Sequence, residues 1–295
     1  MLDGRSVLFE WLISMTSLVR RSFVFSIFAA VLVMTGCVSG QGGSTESSVT
    51  PAPEAAVPEA PAVTGTVLVA GATGGTGSQI VKHLVINGFT VRAMVRDEAR
   101  AREALSEYGD SIQYVVADVR KPDQLIEAMT GADFVITSIG GSRNDDSNSP
   151  EFVDYGGVRN LADVAAGLNI KQFVLVSSSG VTQEDHFLNK MFNNVLIWKL
   201  KGEDALRASG VPYTVVRPGG LVNKPGSLDK IVFAQGDTTA GTIAREDVAR
   251  ICVAALQYPE ASGKTFETYS EQVEQGAISE QGTDWVSLFG KLKAD

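Results

Sequence analysis

The run Thr66-Val67-Leu68-Val69-Ala70-Gly71-Ala72-Thr73-Gly74-Gly75-Thr76-Gly77 passes from a short apolar, β-branched segment into a turn that carries four glycines. Directly after it, Gln79 to Asn87 puts Ile80, Val81, Leu84 and Val85 on one helical face, with Gly88 as the stop. A glycine-rich turn between a buried strand and an amphipathic helix is the setting in which backbone amides alone can hold a diphosphate. Each glycine has a physical task. Gly71 allows the tight turn off the strand, Gly74 lets the main chain approach the phosphates without a Cβ in the way, and Gly77 permits close helix–strand contact. With Thr73, Gly75 and Thr76 between them, the free N–H groups and the helix dipole form an anion cradle. A bound dinucleotide is the expectation.

Outward from this turn, short β-branched runs alternate with helical patterns. Strands are expected at Thr66 to Ala70, Thr90 to Val95, Ile112 to Val116, Phe134 to Ser138, Gln172 to Val176 and Tyr213 to Val216. Alternation at this spacing implies right-handed βαβ units and an α/β fold: a doubly wound parallel sheet covered on both faces, in a single domain. The end of the second strand bears on which dinucleotide is held. An acid there suits the ribose diol of NAD, and a cation suits the extra phosphate of NADP. The chain offers Arg96, whose planar guanidinium matches a phosphate, so NADP is the expected cofactor; the adjacent Asp97 keeps NAD open.

The chain has 295 residues and a formal charge of -9, and the body beyond residue 36 carries -10. Such an acidic body, without a Lys/Arg run interleaved with aromatics, argues against nucleic acid as a partner. Two cysteines, Cys37 and Cys252, sit in unrelated contexts, so a disulfide framework is not expected. Cys252 falls on the apolar face Val248, Ile251, Cys252, Ala255 and reads as a core thiol. With only His83 and His186, and no cluster at ligand spacing, no metal site is expected.

Residues 1–36 read as an export signal: Arg20 and Arg21 head an apolar stretch that ends Met34-Thr35-Gly36-Cys37. That ending resembles a bacterial lipobox, which makes Cys37 the lipidation site and the lipid anchor the link to a membrane. An uncleaved anchor is the alternative, although the apolar run falls short of the roughly 20 residues that span a bilayer comfortably. Met15 is a candidate start, which would leave residues 1–14 untranslated. Arg20-Arg21-Ser22-Phe23-Val24 also fits a twin-arginine export motif, with an ordinary secretory head as the other reading. Either way the body is placed outside the cytoplasm. Residues 37–64, rich in Pro, Ala, Gly and Ser, form a tether; residues 65–270 form the folded domain, and 271–295 a C-terminal tail with a short helix.

Four segments together resemble the atypical short-chain dehydrogenase/reductase family of the NAD(P)H-binding kind, which implies a Rossmann domain. They are the turn Gly71 to Gly77, the second strand Val91 to Asp97, Asp154-Tyr155-Gly156-Gly157-Val158-Arg159-Asn160, and Arg217-Pro218-Gly219-Gly220. The resemblance implies that Asp118 contacts the adenine side, although a turn or cap acid is an equal reading of that residue. It further implies that Pro218 and Gly219 border the nicotinamide. Hydride-transferring members use a Ser, a Tyr and a Lys, with the Tyr four residues before the Lys. Ser178 and Ser179 follow the fifth strand as the family serine does, and Lys199 stands where the family lysine holds the ribose. Four residues before it stands Val195. Tyr155, His186 or a water held by Ser178 or Ser179 are the substitutes for the missing phenol. The loop from Ile139 to Pro150 leaves the fourth strand at the ligand-binding edge and is placed to close over a substrate. The function expected is an NADPH-dependent oxidoreductase for a small carbonyl or quinone-like acceptor. A non-catalytic nucleotide-binding scaffold or redox sensor is the rival reading, and a sugar-nucleotide epimerase a third.

Overall fold

The computed structural model describes residues 63–238, 241–272 and 283–295. Cys37 and the readings made over residues 1–62 lie outside them. In the first half, β1 (Thr66–Ala70) leads through the glycine turn into α1 (Gly75–Ile86), followed by β2 (Thr90–Val95), α2 (Glu98–Ala104), β3 (Ile112–Val116), α3 (Pro122–Met129) and β4 (Phe134–Thr137). In the second half a π-helical stretch, Glu151–Gly157, runs into α4 (Val158–Gly167) and then β5 (Gln172–Val176), α5 (Phe187–Met191), α6 (Val195–Ser209) and β6 (Tyr213–Pro218). The chain ends with β7 (Gly220–Val222), β8 (Lys230–Ala234), β9 (Thr242–Ala244), α7 (Arg245–Gln257), β10 (Lys264–Glu271) and α8 (Trp285–Gly290).

Eight strands form one sheet in the order β3-β2-β1-β4-β5-β6-β10-β8, parallel throughout except for the last pair; β7 and β9 form a separate parallel pair. The fold is the α/β Rossmann type. Successive strands step outward from β1 to β3, and the chain then crosses back to β4 on the other side of β1. That reversal opens a crevice at the carboxyl ends of β1 and β4, where such sheets bind ligands.

The apolar run of β1 follows from burial on both faces. Val67 and Val69 pack with Ile80, Leu84 and Ile251 in the α1/α7 layer, while Leu68 and Ala70 pack with Leu125, Leu161 and Leu206 in the α3/α4/α6 layer. Helix α7 is buried from Asp247 to Gln257 apart from Arg250; Cys252 is fully enclosed and burial pushes its thiol pKa well up.

The structure corrects several element bounds. Helix α1 begins at Gly75 rather than Gln79, because the glycines of the turn themselves make its first turn, with Gly74 as N-cap. Strand β4 ends at Thr137 and β6 runs on to Pro218, which pairs with Thr268. Strand β10 was not anticipated. Its sequence, KTFETYSE, lacks an apolar stripe, yet Thr265, Phe266, Glu267 and Thr268 are buried. Glu267 is tolerated inside because Arg217 on neighbouring β6 lies 3.1 Å away. Beyond Glu271, α8 is no separate appendage: Phe289 is fully buried, with ring centroids 5.3 Å from Phe233 and 5.9 Å from Phe266.

Candidate active site

The turn after β1 has the shape its glycines foreshadow. Gly71 has φ +83°, and a Cβ there would lie 3.0 Å from the carbonyl oxygen of Ser138. A Cβ on Gly77 would lie 1.9 Å from the carbonyl oxygen of Gly71, so helix and strand meet without room for a methyl. The N–H of Gly74 donates to the Gly71 carbonyl and that of Ser78 to the Gly74 carbonyl, while those of Gly75, Thr76 and Gly77 find no protein acceptor among the described residues. The first turn of α1 carries no acid. Amides left without an acceptor at a helix start, with no competing carboxylate, favour an anion.

On one side of the turn lies a cavity of about 240 Å³, lined by Thr73, Gly74, Arg96, Asp118 and Asn148 among others. The Arg96 guanidinium donates to Asn148 Oδ1 at 3.2 Å. Asp97 is otherwise engaged, capping α2 by accepting the Arg100 N–H at 3.1 Å. Asp118 accepts from Arg120 Nε at 2.9 and 3.1 Å, and from the Arg120 N–H at 2.9 Å. The side-chain hydrogen bonds from Arg120 hold the Asp118 carboxyl below its ordinary pKa. Asp118 is therefore both a turn acid and a wall of the cavity.

On the other side lies a cleft of about 850 Å³, which shares Ser138, Ile139 and Gly140 with the first cavity. Ser178, Ser179, Lys199, Pro218 and Gly219 all line it, together with Thr76 from the cradle. Ser177, the first of the three serines, donates instead to the buried Glu203 at 2.5 Å. The outer wall is apolar, made by Phe187, Leu188, Phe192 and Leu221. His186 caps α5, its Nδ1 accepting the Leu188 N–H at 3.3 Å, and its ring faces the cleft beside Gly180. Tyr155 turns elsewhere, stacked on Trp198 with centroids 6.0 Å apart. The loop from Ile139 to Pro150 is hooked inward: Gly141 N–H donates to Asp154 Oδ2 at 2.7 Å, and Arg120 holds the Ser147 carbonyl.

The profile of the NAD(P)H-binding family matches residues 71–259, which spans the cradle, both cavities and α7. The chain belongs to that NAD(P)H-binding family. Sanguinarine reductase of Eschscholzia californica is 36% identical over 268 residues, which cover 77% of this chain and 96% of that protein. Protein TIC 62 of Pisum sativum, chloroplastic, is 36% identical over 209 residues, covering 64% of this chain and 39% of that one. A solved structure described as a putative NAD-dependent epimerase/dehydratase from Bacillus halodurans is 30% identical, with a TM-score of 0.64, and covers 71% of this chain and 95% of its own.

The residues present fit the family's dinucleotide. Gly71 and Gly77 permit the close backbone approaches that shape the cradle, since a Cβ on either would meet a carbonyl oxygen, and the free amides of Gly75 to Gly77 suit the diphosphate. Lys199 is paired with Asp154, a fully buried carboxylate whose Oδ1 lies 2.7 Å from Lys199 Nζ. Asp154 sits in the π-helical stretch, where Gly202 of α6 lies so close that a Cβ would be 2.3 Å from the Asp154 carbonyl.

Two cations escaped the sequence reading. Arg120 stands beside the 240 Å³ cavity through Asp118, and nothing in its surroundings in the sequence marks it. Arg245 had a signal: it is a cation at the first position of α7, the end of a helix where positive charge is disfavoured. Its Nε would lie 3.0 Å from a Cβ on Gly75, and its Nη1 donates to Asn223 Oδ1 at 2.7 Å. The guanidinium is thereby held against the diphosphate cradle.

Proposed function

We propose that this protein is an NADPH-dependent oxidoreductase that reduces a quinone-like or other conjugated, planar acceptor. The observation that carries the reading is the pair of cavities meeting at Ser138–Gly140 on either side of an open glycine cradle, one holding Arg96 and the other walled by Phe187 and Phe192 with Lys199 inside it. The preference for NADP rests on Arg96, with Arg120 nearby, and on Asp97 being occupied as a cap. When bound, the nicotinamide supplies a hydride to the acceptor. The chain's own residues bind the diphosphate on the amides of Gly75 to Gly77, balance its charge with Arg245, and present Lys199 toward the cleft from Asp154. Ser178 and Ser179 offer hydroxyls at the end of β5.

A two-electron reduction also needs a proton, and Val195 supplies none. In this reading water supplies it, and His186 donates a hydrogen bond to the oxygen that takes up the charge. Because its Nδ1 accepts a backbone N–H, the neutral ring carries its proton on Nε2, on the edge beside Gly180 in the cleft wall. The relative named sanguinarine reductase supports a reductase activity for the shared domain.

The test is NADPH oxidation by the purified protein with a panel of quinones and aldehydes, comparing wild type with Lys199→Ala and His186→Gln. Turnover with quinones, lowered in both variants, is expected. Tight NADPH binding with no oxidation of any acceptor would sink the reading and leave the non-catalytic scaffold or redox sensor, which Val195 in place of the phenol favours.

The N-terminal reading belongs to the same proposal. Cys37 carries the lipid that anchors the domain to a membrane, outside the cytoplasm, with the cofactor carried through export. Metabolic labelling with palmitate checks it: label in wild type and none in Cys37→Ser is expected, and an unlabelled wild type overturns it.

A further inference from the structure

The acceptor side of the cleft is shaped by a residue that does not line it. Gly180, Gln183 and His186 contribute to the cleft wall. The loop that carries them is fastened from outside by Asp237, which follows β8 and is itself 3% exposed. Its carboxylate accepts the Gly180 N–H at 2.5 Å, the Thr182 N–H at 2.9 Å and the Thr182 hydroxyl at 2.8 Å. Its carbonyl accepts from Gln183 Nε2 at 3.0 Å. A buried carboxylate with such partners fixes the main chain that supplies them, since releasing the loop would leave the charge unpaired and dry.

Asp237 is itself held. Its N–H donates to Glu267 Oε2 at 2.9 Å, Glu267 Oε1 lies 3.1 Å from Arg217 Nη1, and Arg217 grips Glu203, which accepts the hydroxyl of Ser177. One chain of buried charge thus runs from the serines after β5, under β6 and β10, to the far side of the same loop. Gly180, with φ +84°, bends so that the His186 ring lies over it: a Cβ there would be 3.2 Å from His186 Cδ2.

We infer that Asp237 is a positioning residue for the reaction, holding the Gly180–His186 loop as the acceptor-side wall and acting on the acceptor through His186 and not on the cofactor. This inference rests on the function proposed above. Asp237 has φ +53°, a backbone conformation that Asn tolerates, so Asp237→Asn removes the charge with the least backbone cost, and Asp237→Ala removes the acceptor altogether.

The experiment has two arms on the full-length, NADP-loaded protein. In hydrogen exchange, peptides covering residues 180–188 should exchange about tenfold faster in Asp237→Asn, the change expected from losing one charge-assisted hydrogen bond, while those covering α1 stay as in wild type. With menadione as acceptor, KM should rise and kcat fall, as for His186→Gln, while the Kd for NADPH holds. Unchanged exchange in the 180–188 peptides overturns the inference. So does a fall in melting temperature with menadione KM unmoved, which marks a purely structural residue. If wild type oxidises no NADPH at all, the proposed activity has failed, and the exchange arm alone still decides whether Asp237 holds the loop.

Discussion

The two ends of the cleft are built on opposite plans. Around the 240 Å³ cavity, charge is held near the surface and turned toward the space a ligand would fill: exposed Arg96 rests on one amide oxygen, and Arg120 on Asp118 and a loop carbonyl. Around the 850 Å³ cleft, Glu203, Arg217, Glu267 and Asp237 are all buried and satisfy one another. The first relies on charge near the surface; the second, though Lys199 and Arg245 face into it, is backed by charge that holds a form. Charge that faces a ligand can be altered with little loss of fold, whereas charge sealed among partners cannot.

That contrast can be broken most forcefully at Glu203. Removing it by Glu203→Ala leaves Arg217 with Glu267 alone, Arg207 with Asp204 and Asp295, and Ser177 without its acceptor, and the cost expected from breaking a buried pair is about 3 kcal/mol, read by urea or thermal unfolding. A change below about 1 kcal/mol, the size of an exposed pair, would mean the network is not sealed. At the junction of the two ends, Gly77→Ala forces a methyl onto the Gly71 carbonyl. A destabilisation of about 1–3 kcal/mol is expected, with loss of both NADPH and NADH binding in whatever folds; intact binding would show that the cradle has slack.

At the charge-facing end, Arg96→Ala should leave the melting temperature nearly unmoved and weaken NADPH by about tenfold or more, the worth of a charge-assisted contact, with NADH unaffected. Equal losses for the two nucleotides would move Arg96 from the extra phosphate to the shared part of the cofactor. Arg245→Met is the complement: against the diphosphate it should weaken both nucleotides alike, by about tenfold at most, as seen by fluorescence titration.

The smallest effect is a pH dependence where α1 meets α7. Glu246 accepts the Gly226 N–H at 2.9 Å and Lys82 Nζ lies 2.7 Å away; together these pull its pKa to about 2, the backbone bond leading. A lowered carboxylate pKa gives stability that is full above 4.5 and is lost as pH falls toward about 2. Burial lowers the pKa of His83, so stability also declines as pH drops below 6.5, where the unfolded chain takes up a proton that the folded one resists. Melting curves across pH should show the shallow upper step vanish in His83→Gln and the lower step shrink in Glu246→Gln. A wild-type profile flat from pH 7 to pH 3 would contradict both.

How far the sequence could be read follows the same division. The β1–turn–α1 unit was legible because its apolar period and glycines are local, and Arg96 because it sits at a fixed distance after that unit. Ser178, Ser179, Lys199, Pro218 and Gly219 do meet at one cleft. Strand β10 was hidden because three of its four interior residues are Thr and Glu; Glu267 becomes core material only beside Arg217, fifty residues away. Asp237 gave no sign for the same reason, its partners being amides of a distant loop. The absence at Val195 was plain in the sequence, but the fixing of His186 by Leu188 and Gly180 is a matter of three-dimensional placement.

The depth of Cys252 in helix α7 has a practical consequence. Cys252 can meet a thiol reagent only when that helix leaves the sheet, since neither exposure nor a reactive thiolate is available in the native state. In a Cys37→Ser background its alkylation rate becomes a clock for opening of the whole domain, readable by mass and independent of any enzymatic assay.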